Sequence, residues 1–230
     1  MTRLAKFDWQ AIEAGLDLEG QALLRGMLSA HECDALIALD ASDKAFGYVG
    51  SLDALLFEAG GLQYFAELPS FQELRSRLYE KLAPIANRWN KTMGLAARYP
   101  ARLDQLLLMC HKVGQRRPLS AISRLRKGDY RPLCQSADGD CVFSLQAVVL
   151  LGQPGRDFTG GELVMTEQRP RMQTRPMVVP LQKGDMTVFA VHHRPFKGTK
   201  GYYRANLRHA VSRVRTGERL AIELLFHDAP

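Results

Sequence analysis

The chain has no run of 18 or more apolar residues, so no stretch of it reads as a membrane-spanning helix. Its opening, MTRLAKFDWQAIEAG, is too polar for a secretory signal. Cysteine is scarce: Cys33, Cys110, Cys134 and Cys141 are the four in 230 residues, and none forms a C-x-x-C pair. A chain this long needs no disulfide staples. These absences predict reduced cysteines in a cytoplasmic protein without a membrane partner. Also missing is a phosphate-cradling loop. GQPGRDFTGG has glycines but neither a strand–loop–helix setting nor a following Lys-Ser or Lys-Thr, and is expected to join two strands.

Charge is unevenly spread. Residues 1–110 hold 11 Lys and Arg against 14 Asp and Glu, whereas residues 111–230 hold 20 against 10. A basic half suits contact with phosphates, and equally suits a solvated surface with no nucleic-acid partner. Arg169, Arg171 and Arg175 in TEQRPRMQTRP are the candidate contacts to a DNA backbone, or else the charges of an ordinary hairpin.

The first 110 residues are mainly helical in pattern. Ser29 with Glu32 three residues on makes a capping box ahead of one helix. A second helix carries the stripe Phe71, Leu74, Leu78, Leu82, Ile85 and Trp89, with Pro84 expected to kink or divide it. A third, RLDQLLLMCHKVG, ends on Gly114. After residue 118 the period becomes that of strands. AISRLRKGDY, CVFSLQAVVLLG, GELVMTE, MVVPL, DMTVFAVH, RANLRHAVSRV and RLAIELLFHD are short β-prone runs between turn-forming segments. The expected fold is one α+β domain over 1–230. Helical support fills 1–117, and an antiparallel sandwich or barrel such as a double-stranded β-helix (jelly roll) fills 118–230.

His209 precedes Arg219 by ten residues in NLRHAVSRVRTGERL, and PGRDFTGGE, TEQRPRMQ and FAVHHRP are long, unusual strings. With these segments the chain resembles a bacterial family of iron(II)/2-oxoglutarate-dependent oxygenases. That family is described as acting on alkylated, damaged DNA and is related in fold to prolyl hydroxylases. Such enzymes hold iron(II) on two His and one carboxylate, leaving three positions for 2-oxoglutarate and oxygen. The resemblance implies a jelly roll, with the distal iron ligand at His209 and co-substrate contacts at Arg219 and Tyr130. A three-residue hairpin loop, Thr216-Gly217-Glu218, is expected to turn His209 and Arg219 to one inward face.

The family's His-x-Asp, whose alternate residues reach one metal from an extended strand, falls on Cys134 and Ser136. A thiol and an alcohol stand where two ligands are required. Ala221 replaces a small hydroxyl residue two positions after Arg219. Glu223 brings a carboxylate to an inward position, where it would repel the co-substrate or pair with Arg219. VGSLDALLFEAGGL, within the glycine-rich stretch 44–65, lacks the family's Arg and His. These departures predict a non-catalytic relative without bound iron(II) or 2-oxoglutarate, serving as a binding or regulatory module on DNA or on a protein partner. The alternative is an active dioxygenase with a metal site built on Cys134 and His209. A thiol–imidazole pair formed by those two residues is a further alternative. Asp138 and Asp140 lie close enough in sequence to be recruited as ligands. His192 and His193, adjacent in a strand, are expected to point to opposite faces.

Overall fold

The computed structural model describes residues 3–40, 48–51, 61–65 and 69–230. The rest of the glycine-rich stretch 44–65, with the expectation about its missing basic residues, lies outside them. The elements run α1 (Trp9–Glu19), β1 (Gln21–Leu24), α2 (Ala30–Asp40), β2 (Tyr48–Ser51), β3 (Gly61–Phe65), α3 (Pro69–Thr92) and α4 (Leu103–Lys112). Then come β4 (Ala121–Arg126), β5 (Arg131–Cys134), β6 (Leu145–Leu150), β7 (Phe158–Gly160), β8 (Leu163–Gln168) and β9 (Arg175–Val179). The chain ends with β10 (Met186–Ala190), β11 (His193–Gly198), β12 (Gly201–Val211) and β13 (Val214–Leu224). No helix among the described residues is long and apolar enough to cross a membrane.

The helices form where their sequence signals lie. Ser29 and Glu32 close the capping box at the start of α2: the Glu32 N–H donates to Ser29 Oγ, and the Ser29 N–H donates to Glu32 Oε2. Along α3, Phe71, Leu78, Leu82, Ile85 and Trp89 are buried and Leu74 packs on the core. Pro84 does not divide this helix. Its neighbours Leu82, Ala83, Ile85 and Ala86 are all buried, so core packing on both sides outweighs the lost backbone hydrogen bond. Gly114 follows α4 at φ 87°, the left-handed conformation expected of a helix stop.

Two antiparallel sheets carry the site. One has the order β1-β10-β6-β13-β4-β3-β2, with β7 paired to β13; the other has β11-β12-β8-β9, with β5 paired to β12. Three strands from before residue 117 therefore extend the larger sheet, which the helical pattern of that half did not suggest. Phe189 of β10 meets His209 of β12 with ring centroids 5.1 Å apart, so the sheets face each other across a shared interior. This is the jelly roll.

The turn joining the two sheets differs from expectation. The β12–β13 connection is Ser212-Arg213, and Thr216-Gly217-Glu218 lies inside β13. Gly217 does take positive φ, 72°, but for another reason: a Cβ there would stand 2.0 Å from the Asp157 carbonyl oxygen, where β7 pairs against β13. Gly217→Ala is expected to lower stability by at least ~2 kcal/mol in urea denaturation, from the clash and the backbone strain together. A loss below ~0.5 kcal/mol would contradict that close approach.

Candidate functional site

His209 belongs to an alternation along β12 in which Leu207, His209 and Val211 are buried and face the interior. Its Cα pairs with Cys134 of β5, the end of a strand that lies against the β12 edge. That pairing places Cys134 Sγ 3.6 Å from His209 Nε2. The Gln146 amide nitrogen of β6 lies 3.2 Å from Nδ1 and 3.5 Å from Nε2. An amide N–H₂ can only donate, and this one faces both ring nitrogens. Burial, then the positive charge of Arg131, pushes the imidazole down to about 3, only partly opposed by Glu223. The ring is neutral at physiological pH.

The carboxylate of Glu223 does not pair with Arg219. It meets Arg131, whose Nη1 donates to Oε1 at 2.5 Å and also to Oε2, bridging β5 of one sheet to β13 of the other. Both side chains are enclosed, at 13% and 7% exposed. Burial works to raise the Glu223 pKa, but Arg131 above all holds it below the usual carboxylate range. Burial raises the Cys134 thiol, with Arg131 pulling the other way and Glu223 and Asp138 adding to the rise, so the sulfur keeps its proton.

Arg219 lies on β13 in the same interior and is 1% exposed. Its Nε has no hydrogen-bond partner among the described residues. Burial pushes its pKa down to about 10, which still leaves it charged at neutral pH. Ala221 pairs in register with Ser123 of β4, and the Ser123 hydroxyl is buried without a partner among the described residues. A hydroxyl missing on β13 is thus present on its neighbour.

These donors do not fit a 2-His-1-carboxylate iron centre. Around His209 stand a protonated thiol, a guanidinium and a carboxylate already committed to that guanidinium. Among the described residues no three His, Cys, Asp or Glu side chains converge as a metal would require. Ser136 lies beyond the end of β5, and Asp138 and Asp140 are exposed on the loop that follows.

Residues 60–229 match the family described as an oxygenase catalysing oxidative methylation of damaged DNA. The chain belongs to this oxygenase family. It is 40% identical over 158 residues to uncharacterized proteins from two strains of Mycobacterium tuberculosis, an overlap covering 69% of this chain and 68% of theirs. Among solved structures it is similar to a 2OG-Fe(II) oxygenase family oxidoreductase from Burkholderia pseudomallei, with TM-score 0.53, 17% identity and coverage of 97% and 93% of the two chains. A prolyl-4-hydroxylase from Pseudomonas putida gives TM-score 0.53, 18% identity and coverage of 94% and 96%. A Trichoplax adhaerens prolyl hydroxylase in complex with a hypoxia inducible factor peptide gives 0.55, 13% identity, and 94% and 87%. At these identities the structures share the fold, the jelly roll of the oxygenases.

In this family member the sequence-predicted residues divide into two sets. His209, Cys134 and Arg219 share the interior. Tyr130 sits before β5 with the Arg213 guanidinium 5.0 Å over its ring. Arg169 bonds Glu167 at 2.6 Å and lies 3.9 Å over the Phe196 ring, and Arg175 bonds Glu19 at 2.6 Å, whereas Arg171 is exposed. His192 precedes β11 rather than lying in it, so its ring turns onto that of His193, with centroids 4.6 Å apart; the two do not point to opposite faces. Sequence inspection missed Gln146, whose signal is a lone amide in the apolar run LQAVVLL, and Arg131, which has no local signal.

Burial lowers His209 to about 3, and His192 and His227 each to about 4. Above pH ~6.5 these rings are neutral in both folded and unfolded chains. Below it the unfolded chain takes up protons that the fold refuses, so the stability they contribute is lost as pH falls toward the folded values. Between pH 7 and pH 5, His209→Gln should lose ~2 kcal/mol less stability in urea denaturation than the unaltered chain. Equal losses would show that His209 is not held neutral by burial.

Proposed function

We propose that this chain is a non-catalytic member of the oxygenase family, a binding or regulatory protein in which two of the three iron ligands have been replaced. The observation that carries this proposal is the environment of His209. Its Nε2 faces the Cys134 thiol at 3.6 Å, and the Glu223 carboxylate is tied to Arg131. Cys134 and Ser136 stand where the resemblance puts a His and an Asp. Neither brings a charge to offset a dication, and the Arg131 guanidinium opposes one directly. The alternative, a working dioxygenase on a Cys134–His209 centre, would lack a third protein ligand among the described residues.

DNA is the partner that fits best, in keeping with the family's description. Residues 111–230 carry twice as many basic as acidic side chains, and Arg171 stands exposed beside the partly exposed Tyr203. Arg169 and Arg175 are engaged with Glu167 and Glu19, so the contribution expected from this segment falls mainly on Arg171.

Two measurements check these statements. Protein mixed anaerobically with iron(II) and 2-oxoglutarate and then exposed to oxygen should release no succinate above a protein-free control; one or more turnovers would establish an enzyme. In a gel-shift series, affinity for a short DNA duplex should fall at least about ten-fold between ~50 and ~200 mM salt, the change expected for two or more phosphate contacts. Salt-independent binding, or none, would remove DNA as the partner.

A further inference from the structure

A second concave surface lies at the hairpin tips, outside the interior that holds His209. The β8–β9 and β11–β12 connections enclose a cleft of about 460 Å³, whose lining includes Arg169, Arg171, Met172, Phe196, Gly198 and Tyr203. Tyr203 and His209 lie on the same extended strand, so the cleft stands ~20 Å from that imidazole. Its rim is open to solvent: Arg171 is exposed, Met172 is 57% exposed and Tyr203 is 40% exposed. The floor of the cleft is aromatic. Phe196 and Tyr203 are cross-strand partners in the β11–β12 register. Phe196 is already covered, since the Arg169 guanidinium lies 3.9 Å over its ring and is itself bonded to Glu167. Tyr203 is not covered in this way. Its ring lies against Gly198, where a Cβ would stand 2.6 Å from Tyr203 Cε2. The bare glycine backbone thus seats the ring across the hairpin and leaves part of it exposed.

The charge around this ring is of one sign. No Asp or Glu occurs in residues 168–184 or 186–217, the two stretches that supply the wall. Glu167, at the base of the β8–β9 hairpin, is buried and held by both Arg169 and Arg194. Arg171 takes φ 62° at the hairpin tip, the one non-glycine at positive φ among the described residues. Lys197 and Lys200 are exposed on the same hairpin as Tyr203. The segment TEQRPRMQTRP contains no aromatic residue of its own, and the fold brings it two from the neighbouring hairpin. An open aromatic face among cations, with no carboxylate in the surrounding chain, suits a flat anionic ligand and disfavours a cationic one.

We propose that this cleft holds an unpaired nucleotide of single-stranded DNA, with its base stacked on Tyr203 and its phosphate on Arg171. Every base offers a π-face to an aromatic ring, so such a platform is tolerant of sequence. In a duplex those faces are covered by the neighbouring base pairs, and a ring seated in a cleft meets only the phosphates. The proposal rests on the reading of DNA as the partner, and gives that partner a strand form and a point of contact. It does not involve the interior, because a base on Tyr203 is ~20 Å along β12 from His209.

Fluorescence anisotropy of the full chain tests it, with labelled probes of equal length: an oligothymidylate, the same sugar–phosphate strand without bases, and a duplex. The oligothymidylate should bind about ten-fold more tightly than the abasic strand, the gain from one stacked base. Tyr203→Ala should remove that advantage and leave the affinities for the abasic strand and the duplex unchanged, whereas Tyr203→Phe should keep it. Tyr202→Ala, on the opposite face of β12, should have no effect. Arg171→Gly, which suits the left-handed backbone there, should weaken the oligothymidylate and the abasic strand alike and reduce the dependence on salt. Salt-dependent binding of every probe with no preference for bases would overturn the platform and leave DNA as the partner. Binding of none would remove both. A base preference that survives Tyr203→Ala, or is lost in Tyr202→Ala, would also overturn the proposal, because the stacking would then lie elsewhere.

Discussion

Between the two sheets, Arg131 of β5 and Glu223 of β13 form an ion pair that bridges strands 92 residues apart in sequence. Such a pair is weak evidence for net stability, because taking two charges out of water costs about as much as their attraction returns. Its consequence is specificity. Removing Arg131 would strand the Glu223 carboxylate in a buried space, at a cost of roughly 3–5 kcal/mol. The two residues are thereby held together, and the carboxylate's hydrogen bonds go to Arg131 and not to Arg219. His209 then sits beside a fixed positive charge and becomes harder to protonate, and the Cys134 thiol, enclosed with them, stays protonated. Burial is the main cause of both protonation states, and the charges of the pair modify it.

The two arginines of β13's surroundings have different fates for the same physical reason. Arg131 finds Glu223, and so the interior near His209 is close to charge balance. Arg219, four residues before Glu223 on the same inward face, finds no such partner for its Nε and borders an apolar cavity instead. Surface arginines follow the first pattern: Arg169 and Arg175 are taken by carboxylates, and Glu167 also holds the buried Arg194. Net charge over a segment therefore overstates how many cations remain available to a polyanion.

Much of the fold was legible because local signals and burial agreed. The Ser29–Glu32 capping box, the apolar stripe of α3 and the alternating runs of β8 and β12 each predict the element that forms. The strands that escaped notice lack such a signal. β1 is four residues long, and β11 reads HRPFKG, with Pro195 tolerated because β11 lies at the edge of its sheet. Within the site, His209, Cys134 and Arg219 were found through their resemblance to the family. Arg131 was not, since nothing near it in sequence shows that its partner lies on the opposite sheet. The β12–β13 turn was misplaced because Gly217 looks like a loop residue, while its positive φ serves a close strand crossing.

Family membership here fixes the architecture and leaves the chemistry to the residues that line it. A jelly roll of this family can enclose a thiol and an ion pair beside its inward histidine and arginine. The most direct measurement is anaerobic equilibrium dialysis of the full chain against iron(II), with 2-oxoglutarate present and absent, followed by metal analysis. The chain should retain no stoichiometric iron in either condition. One tightly held iron per chain would contradict it, and would mean that Cys134 and His209 recruit a further ligand that the Arg131–Glu223 pair does not exclude.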